Sequence, residues 1–176
     1  MSIPSIEGFK ANLVGGGARA NQFKVVMNFP TASKGNVKTG EQFTYLCQST
    51  ELPASTIGIV EVPYRGRIMK LAGDRTFADW TNTILNDSDF KIRTALESWV
   101  DMMDQPLTEG GAVVSPLLYK TTAEVKQLDR NGHEVKTYKF HGLLPSEIGN
   151  IAMSYDTNDA VETFDVTWSY DYFTVS

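Results

Sequence analysis

The residues of this chain that could do chemistry are few and poorly spaced for it. It has two histidines, His133 and His141, eight residues apart. Neither sits in a spacing such as His-Glu-x-x-His, which puts two imidazoles on one helical face to share a zinc ion. The single cysteine, Cys47, lies among Phe43, Tyr45 and Leu46. Apolar surroundings disfavour the thiolate, so Cys47 reads as a buried, inert thiol rather than a nucleophile. A Ser-His-Asp triad would have no Gly-x-Ser-x-Gly elbow to sit on. Gly15-Gly16-Gly17 is followed by Ala18-Arg19-Ala20-Asn21. It therefore lacks the Lys and hydroxyl that complete a phosphate loop at a helix start. Asp101 with Asp104, or Asp156 with Asp159, would act as acid and base only if they faced each other across a cleft. The second pair bounds Asp156-Thr157-Asn158-Asp159, a turn-forming run. No catalytic, cofactor-binding or metal-ligating residue is assigned, and no enzyme activity is expected.

The whole chain is too small for two ordinary domains: 176 residues, 41% hydrophobic and 21% charged, fit one soluble domain spanning 1–176. Its 16 basic and 21 acidic residues leave a net charge of −5. A general nucleic-acid binder needs a basic surface to displace phosphate counterions, so that class is disfavoured. No apolar run approaches the ~20 residues that span a bilayer. Met1 to Lys10 has neither a basic nor an apolar region of a secretory signal, and one cysteine suits a reducing compartment. Synthesis in the cytoplasm is the expectation.

The elements read mainly as strands. In Val161–Tyr172, Phe164, Val166, Trp168, Tyr170 and Tyr172 alternate with Thr163, Asp165, Thr167, Ser169 and Asp171. That period of two predicts one long strand with a packed face and a wet face carrying Asp165 and Asp171. Phe23, Val25, Met27 and Phe29 alternate in the same way before Pro30, as do Phe43, Tyr45 and Cys47. Residues 57–62, 67–71 and 77–85 are rich enough in β-branched and aromatic side chains to be strands. Residues 123–128 and 135–140 form a hairpin through Asn131-Gly132, which tolerates the positive φ of a tight turn. Ile92, Ala95, Leu96, Trp99, Val100 and Met103 recur at helical spacing, with Asp87 or Ser88 as cap and Arg93–Glu97 as an i,i+4 pair. Loops are expected at 15–17, 31–40 and 106–116. The fold class is mainly β, an antiparallel β-barrel or sandwich with one flanking α-helix over about residues 88–103.

The most unusual segment is residues 51–76. It mixes apolar Ile57, Ile59, Val60, Val62 and Tyr64 with basic Arg65, Arg67, Lys70 and Arg75. A long apolar and basic extension suits an interaction arm better than a core element.

At this segment the sequence resembles the tail tube proteins of contractile-tailed bacteriophages, a family similar in fold to type VI secretion tube proteins. The resemblance is carried by Asn21–Val25, Phe43–Gln48, Leu52-Pro53-Ala54, Val62-Pro63 and, most specifically, Ala72-Gly73-Asp74-Arg75-Thr76-Phe77-Ala78-Asp79-Trp80. Asn86-Asp87, Gly142–Pro145, Glu162–Trp168 and Tyr170-Asp171-Tyr172 continue it in the family's order. It implies a structural virion protein without cofactors, assembled in the host cytoplasm as hexameric rings that stack into a tube. The sheath would lie outside, the tape-measure protein inside during assembly, and the baseplate at one end. Phage DNA would pass through the lumen during ejection without specific binding. Residues 1–20 would be a flexible N-terminal arm and 50–76 an intersubunit hairpin or loop. Ile57, Ile59, Val60, Val62, Tyr64, Arg65, Arg67, Lys70, Asp74 and Arg75 would make intersubunit contact, and acidic Asp165 and Asp171 would face the lumen or solvent. The alternatives are a single-ring baseplate initiator or tail terminator of the same fold, and a β-domain that binds a ligand.

Overall fold

The computed structural model describes residues 5–13, 17–31, 33–104, 115–156 and 159–176. Gly15, Gly16, Ala32 and residues 106–114 of the expected loops, and residues 157–158 of the expected turn, lie outside these. Along the chain, α1 (Ile6–Asn12) is capped by the Ser5 hydroxyl, which accepts the Gly8 N–H at 3.0 Å, and buries no residue. The strand β1 (Phe23–Met27) turns Val25 and Met27 into the core, as its alternation requires.

The next element departs from the sequence expectation. Val37–Leu46 is a helix, α2, where a loop to Gly40 and then a strand through Phe43, Tyr45 and Cys47 were expected. Its start is fixed by a capping box, with Asn36 Oδ1 accepting the Thr39 N–H at 3.0 Å and the Thr39 hydroxyl accepting the Asn36 N–H. Thr39, Gly40 and Phe43 turn inward at helical spacing while Tyr45 is exposed. Gly40 lies against β1 so closely that a Cβ would stand 2.4 Å from the Met27 carbonyl oxygen. Cys47 then opens a short strand, β2 (Cys47–Thr50).

The long strands β3 (Ser55–Tyr64) and β4 (Arg67–Phe77) follow, then β5 (Trp80–Leu85). Phe77 ends β4 rather than opening β5. The amphipathic segment forms α3 (Lys91–Met103), burying Ile92, Ala95, Leu96, Trp99 and Met102. Neither Asp87 nor Ser88 takes the cap position, which falls to Phe90 at φ 51° without a side-chain cap bond, though the Asp87 carboxylate does accept the first-turn Lys91 N–H at 3.3 Å. After the short α4 (Pro116–Tyr119) come β6 (Thr121–Leu128), β7 (Glu134–Ile148), β8 (Thr163–Ser169) and β9 (Tyr172–Val175). The β6–β7 turn forms as expected. Gly132 has φ 83°, and the Asp129 carboxylate accepts the N–H groups of Asn131 and His133 at 2.7 and 2.8 Å.

All strand pairs are antiparallel, and the main sheet runs β1-β6-β7-β8-β5-β2 with β9 also on β7. The 15-residue β7 organises it. Its first part pairs with β6 on one edge and β9 on the other, and its last residues pair with β8. Between them Gly142 has φ 68° and is skipped in the register with β6. A Cβ there would fall 2.0 Å from Asp171 Oδ2, so the absent side chain is the space into which Asp171 folds. The last strand, expected to be continuous, breaks opposite this point. Ser169 still pairs with Leu144, Tyr172 pairs with His141, and Asp171 N–H donates to the His141 carbonyl at 2.9 Å. The side-chain parity flips across the break: Phe164, Val166 and Trp168 point inward from β8, whereas Tyr172 of β9 is exposed.

The core is one cluster in which Val25, Ala123, Phe140, Ile84 and Trp168 of the sheet meet Phe43 of α2 and Trp99 of α3. Trp80 stacks on Phe140 (centroids 4.4 Å) and lies beside Trp168 (6.1 Å); Trp168 meets Trp99 (5.7 Å) and Phe43 (6.3 Å). Such pairs add roughly 0.5–1.5 kcal/mol each beyond the area they bury. The Trp80 indole N–H donates to Thr50 Oγ1 and the Glu51 carbonyl, and that of Trp99 to the Tyr119 carbonyl at 2.8 Å. Arg93 of α3 pairs with Glu97 at 2.7 Å as expected and donates to the Gly149 carbonyl, tying helix to sheet. Thus α2 and α3 both flank the antiparallel sheet.

Replacing Gly142 with Ala should destabilise the fold by more than the same change at Gly132, which has positive φ but open space around it. The expected losses are about 1 kcal/mol at Gly132 and at least ~2 kcal/mol at Gly142, measured by urea unfolding. Equal losses would remove the Asp171 contact from the account. Burial pushes the Cys47 thiol up to about 12, so a thiolate-directed reagent at pH 8 should label it only after unfolding. Rapid labelling of folded protein would contradict this burial.

Candidate assembly interface

The residues first weighed for chemistry stay apart. His133 sits exposed in the β6–β7 turn beside Asp129, while His141 stacks on the Tyr172 ring at 4.6 Å with Nε2 3.2 Å from Thr174 Oγ1. Cys47 is buried with its sulfur near the Ser49 carbonyl. Among the described residues no group of three or more His, Cys, Asp or Glu is placed to hold a metal ion.

The feature without an internal explanation is the β3–β4 hairpin. These strands pair only with each other, as a separate two-stranded sheet. Its tip is a two-residue turn in which Arg65 (φ 46°) and Gly66 (φ 79°) both take the positive φ that suits strand twist. Antiparallel register puts Val60, Val62 and Tyr64 on one face with Leu71, Met69 and Arg67 opposite them. The other face carries Ile59, Pro63, Ile68 and Ala72 around the Glu61–Lys70 ion pair (3.8 Å). Ile59 is 63% exposed, Val60 51% and Tyr64 66%. A strand that served the core of its own chain would hide one of these faces.

A bulge divides the hairpin. Register slips between Ile57 and Ile59, where Gly58 and Gly73 approach so closely that a Cβ on Gly73 would lie 3.1 Å from the Gly58 carbonyl oxygen. Below it the root is clamped to the body. Phe77 packs on Tyr170 and Phe173 (5.9 and 5.5 Å), and Ala78 N–H donates to the Ala54 carbonyl. Arg75, expected at the interface, covers the Phe77 and Phe173 rings (5.1 and 5.0 Å) and donates to Ser55 Oγ at 2.9 Å. It is thus engaged within its own chain, as is Lys70. Arg65 lies over its neighbour Tyr64 (5.4 Å).

Sequence reasoning singled out the apolar residues of β3 but missed Ile68, Met69 and Leu71, which are equally exposed on β4. Their pairing with β3 residues would have followed from the Arg65-Gly66 turn, had it been placed. The two acidic candidates also separate. Asp165 is exposed on the outer face of β8, accepting from Thr83 Oγ1 at 2.7 Å. Around it on that face stand Ser49, Thr81, Thr163, Thr167 and Ser169, with no cation among the β5 and β8 residues. Asp171 instead sits at the strand break in an ion pair with Lys120 (2.7 Å).

Comparison with known proteins matches this arrangement to one family. The family model for phage tail tube proteins matches residues 18–176. The chain is 33% identical over 159 residues to the tail tube protein gp19 of Enterobacteria phage T4, covering 89% of this chain and 90% of that one. Its fold is shared with the tube-terminating cap of the anti-feeding prophage (TM-score 0.63, 13% identity, 90% of each chain). It is shared too with a chain of the PVC sheath–tube complex of an extracellular contractile injection system (TM-score 0.58, 12% identity, 95% of this chain and 96% of that one). Family model, sequence identity and fold thus agree, and the chain belongs to the phage tail tube protein family, whose members are structural components of the virion tail and not enzymes.

Proposed function

We propose that copies of this chain assemble into hexameric rings that stack as the inner tube of a contractile tail, and that DNA leaves through its lumen. The observation that carries this reading is the free-standing hairpin with apolar side chains on both faces. Leaving those residues wet costs about 25 cal/mol for every Å² of apolar surface that a neighbour would cover. Open hairpin edges also offer unpaired backbone groups that assembly would satisfy. In this reading Ile57, Ile59, Val60, Val62, Tyr64, Arg65, Arg67, Lys70, Asp74 and Arg75 meet neighbouring subunits, Arg75 also clamping the hairpin's root. The sheath lies outside the tube, the tape-measure protein inside it during assembly, and the baseplate nucleates it.

A conduit must not hold its cargo. The serine- and threonine-rich outer face of β5 and β8, with Asp165 as its charge, supports a lumen wall there, because a basic wall would release counterions and bind DNA. The T4 relationship favours a tube over the single-ring alternative of an initiator or terminator.

Negative-stain microscopy with sedimentation velocity over a concentration series, with and without baseplates, tests the assembly. Stacked hollow rings are expected; closed rings that never elongate would identify the single-ring role, and monomers even on baseplates would refute the proposal. Replacing Ile57, Ile59 and Val60 together with Asp should leave a folded monomer, by circular dichroism, that no longer assembles. Unfolded protein would show that these side chains support the fold. Changing Thr81 and Thr167 to Lys should give tubes that retain DNA at low salt and release it as salt rises. Tubes indifferent to DNA would place this face away from the lumen.

A further inference from the structure

We infer that the cleft formed by the segments 152–155 and 160–163 receives the β3–β4 hairpin of a second copy of this chain, an assignment that rests on the assembly reading above. The cleft encloses about 550 Å³ and is lined by Met153, Tyr155, Val161 and Glu162 among others. Its apolar side chains are as unprotected as those of the hairpin: Met153, Val161 and Tyr155 are all exposed, Tyr155 completely. The hairpin of the same chain does not fill it, since both partners remain wet in one molecule.

Charge favours the hairpin as occupant. Every charged residue between Ile151 and Thr163 is acidic, namely Asp156, Asp159 and Glu162. Glu162 is held in place by the Asn86 side-chain amide, which donates to Oε2 at 3.0 Å. The hairpin's tip carries Arg65 and Arg67 beside Val62, Tyr64 and Met69. An apolar and acidic cleft therefore faces an apolar and basic finger, the pairing that gives both burial and orientation. The apolar helix face of α1 (Ile6, Phe9) also lacks cover, but its one acidic and one basic residue, Glu7 and Lys10, give it no such complement.

Position supports the same partner. The hairpin leaves the body at Phe77–Trp80, at one end of β5. The cleft lies at the other end, where Leu85 pairs with Thr163 and Asn86 N–H donates to the Glu162 carbonyl. The six-residue β5 separates them by about 17 Å. Donor and acceptor surfaces at opposite ends of one sheet make a head-to-tail contact, which repeats from copy to copy instead of ending at a dimer.

Charge exchange on the full-length protein tests the contact. Arg65→Glu with Arg67→Glu, and separately Asp156→Lys with Asp159→Lys, should each raise the concentration needed for assembly about tenfold or more. Combining all four should bring it back to near the wild-type value. As a second measurement, Val62→Cys protein mixed with Val161→Cys protein should form a mixed disulfide in assembled material under mild oxidation. Failure of the recovery or of the mixed disulfide, in protein that still forms tubes, overturns the receiving site and leaves the tube reading standing. A wild-type chain that fails to assemble on baseplates removes both.

Discussion

The absence of a side chain at Gly142 is the constraint on which the rest of this structure turns. Only there can β7 take a positive φ while Asp171 occupies the volume a Cβ would need. Around this glycine one 15-residue strand serves two parts of the sheet, pairing with β6 and β9 before it and β8 after it. The final strand must break at Tyr170–Asp171 to follow. Lys120 closes the corner by pairing with the Asp171 carboxylate.

Three tryptophans sit at the centre of the buried cluster. Trp80 and Trp168 come from adjacent strands, whereas Trp99 arrives on α3, so the helix is part of the core rather than a surface addition. The helix α2 joins the same core, and its Gly40 lets backbone approach backbone at Met27. The β3–β4 hairpin is left outside, attached through Phe77 and Arg75. A lone two-stranded hairpin is marginally stable in water, so this root clamp sets its direction while its apolar faces stay available.

The molecule therefore has a finished interior and an unfinished exterior. Apart from Leu85, polar residues line the outer face of β5 and β8, whereas the hairpin and the cleft before β8 expose large apolar side chains. That uneven distribution fits the proposed assembly, in which some surfaces adhere to neighbours and another does not. No catalytic constellation is needed for such a role, and the two histidines and the cysteine each serve a local packing or turn environment.

Elements with long periodicity or specific turn chemistry follow from the amino-acid order alone. The stripe of α3, the alternation through Trp168 and the Asn131-Gly132 hairpin were all legible, because each pattern states which side of an element must be dry. The apolar and basic character of residues 57–75 was legible for the same reason. Tertiary structure decided what lies against each dry side. Phe43, Tyr45 and Cys47 fit a strand over five residues, but the Asn36 cap and the Gly40–Met27 contact make most of that stretch a helix, turning Tyr45 outward. The last strand's alternation could not announce its break, since the cause lies some thirty residues earlier at Gly142. Nor could it show that Arg75 is spent on Phe77 and Phe173 while Arg67 is not. Periodicity encodes the polarity of a surface; only the packing of distant segments determines whether that surface is covered by its own chain or left for a neighbour.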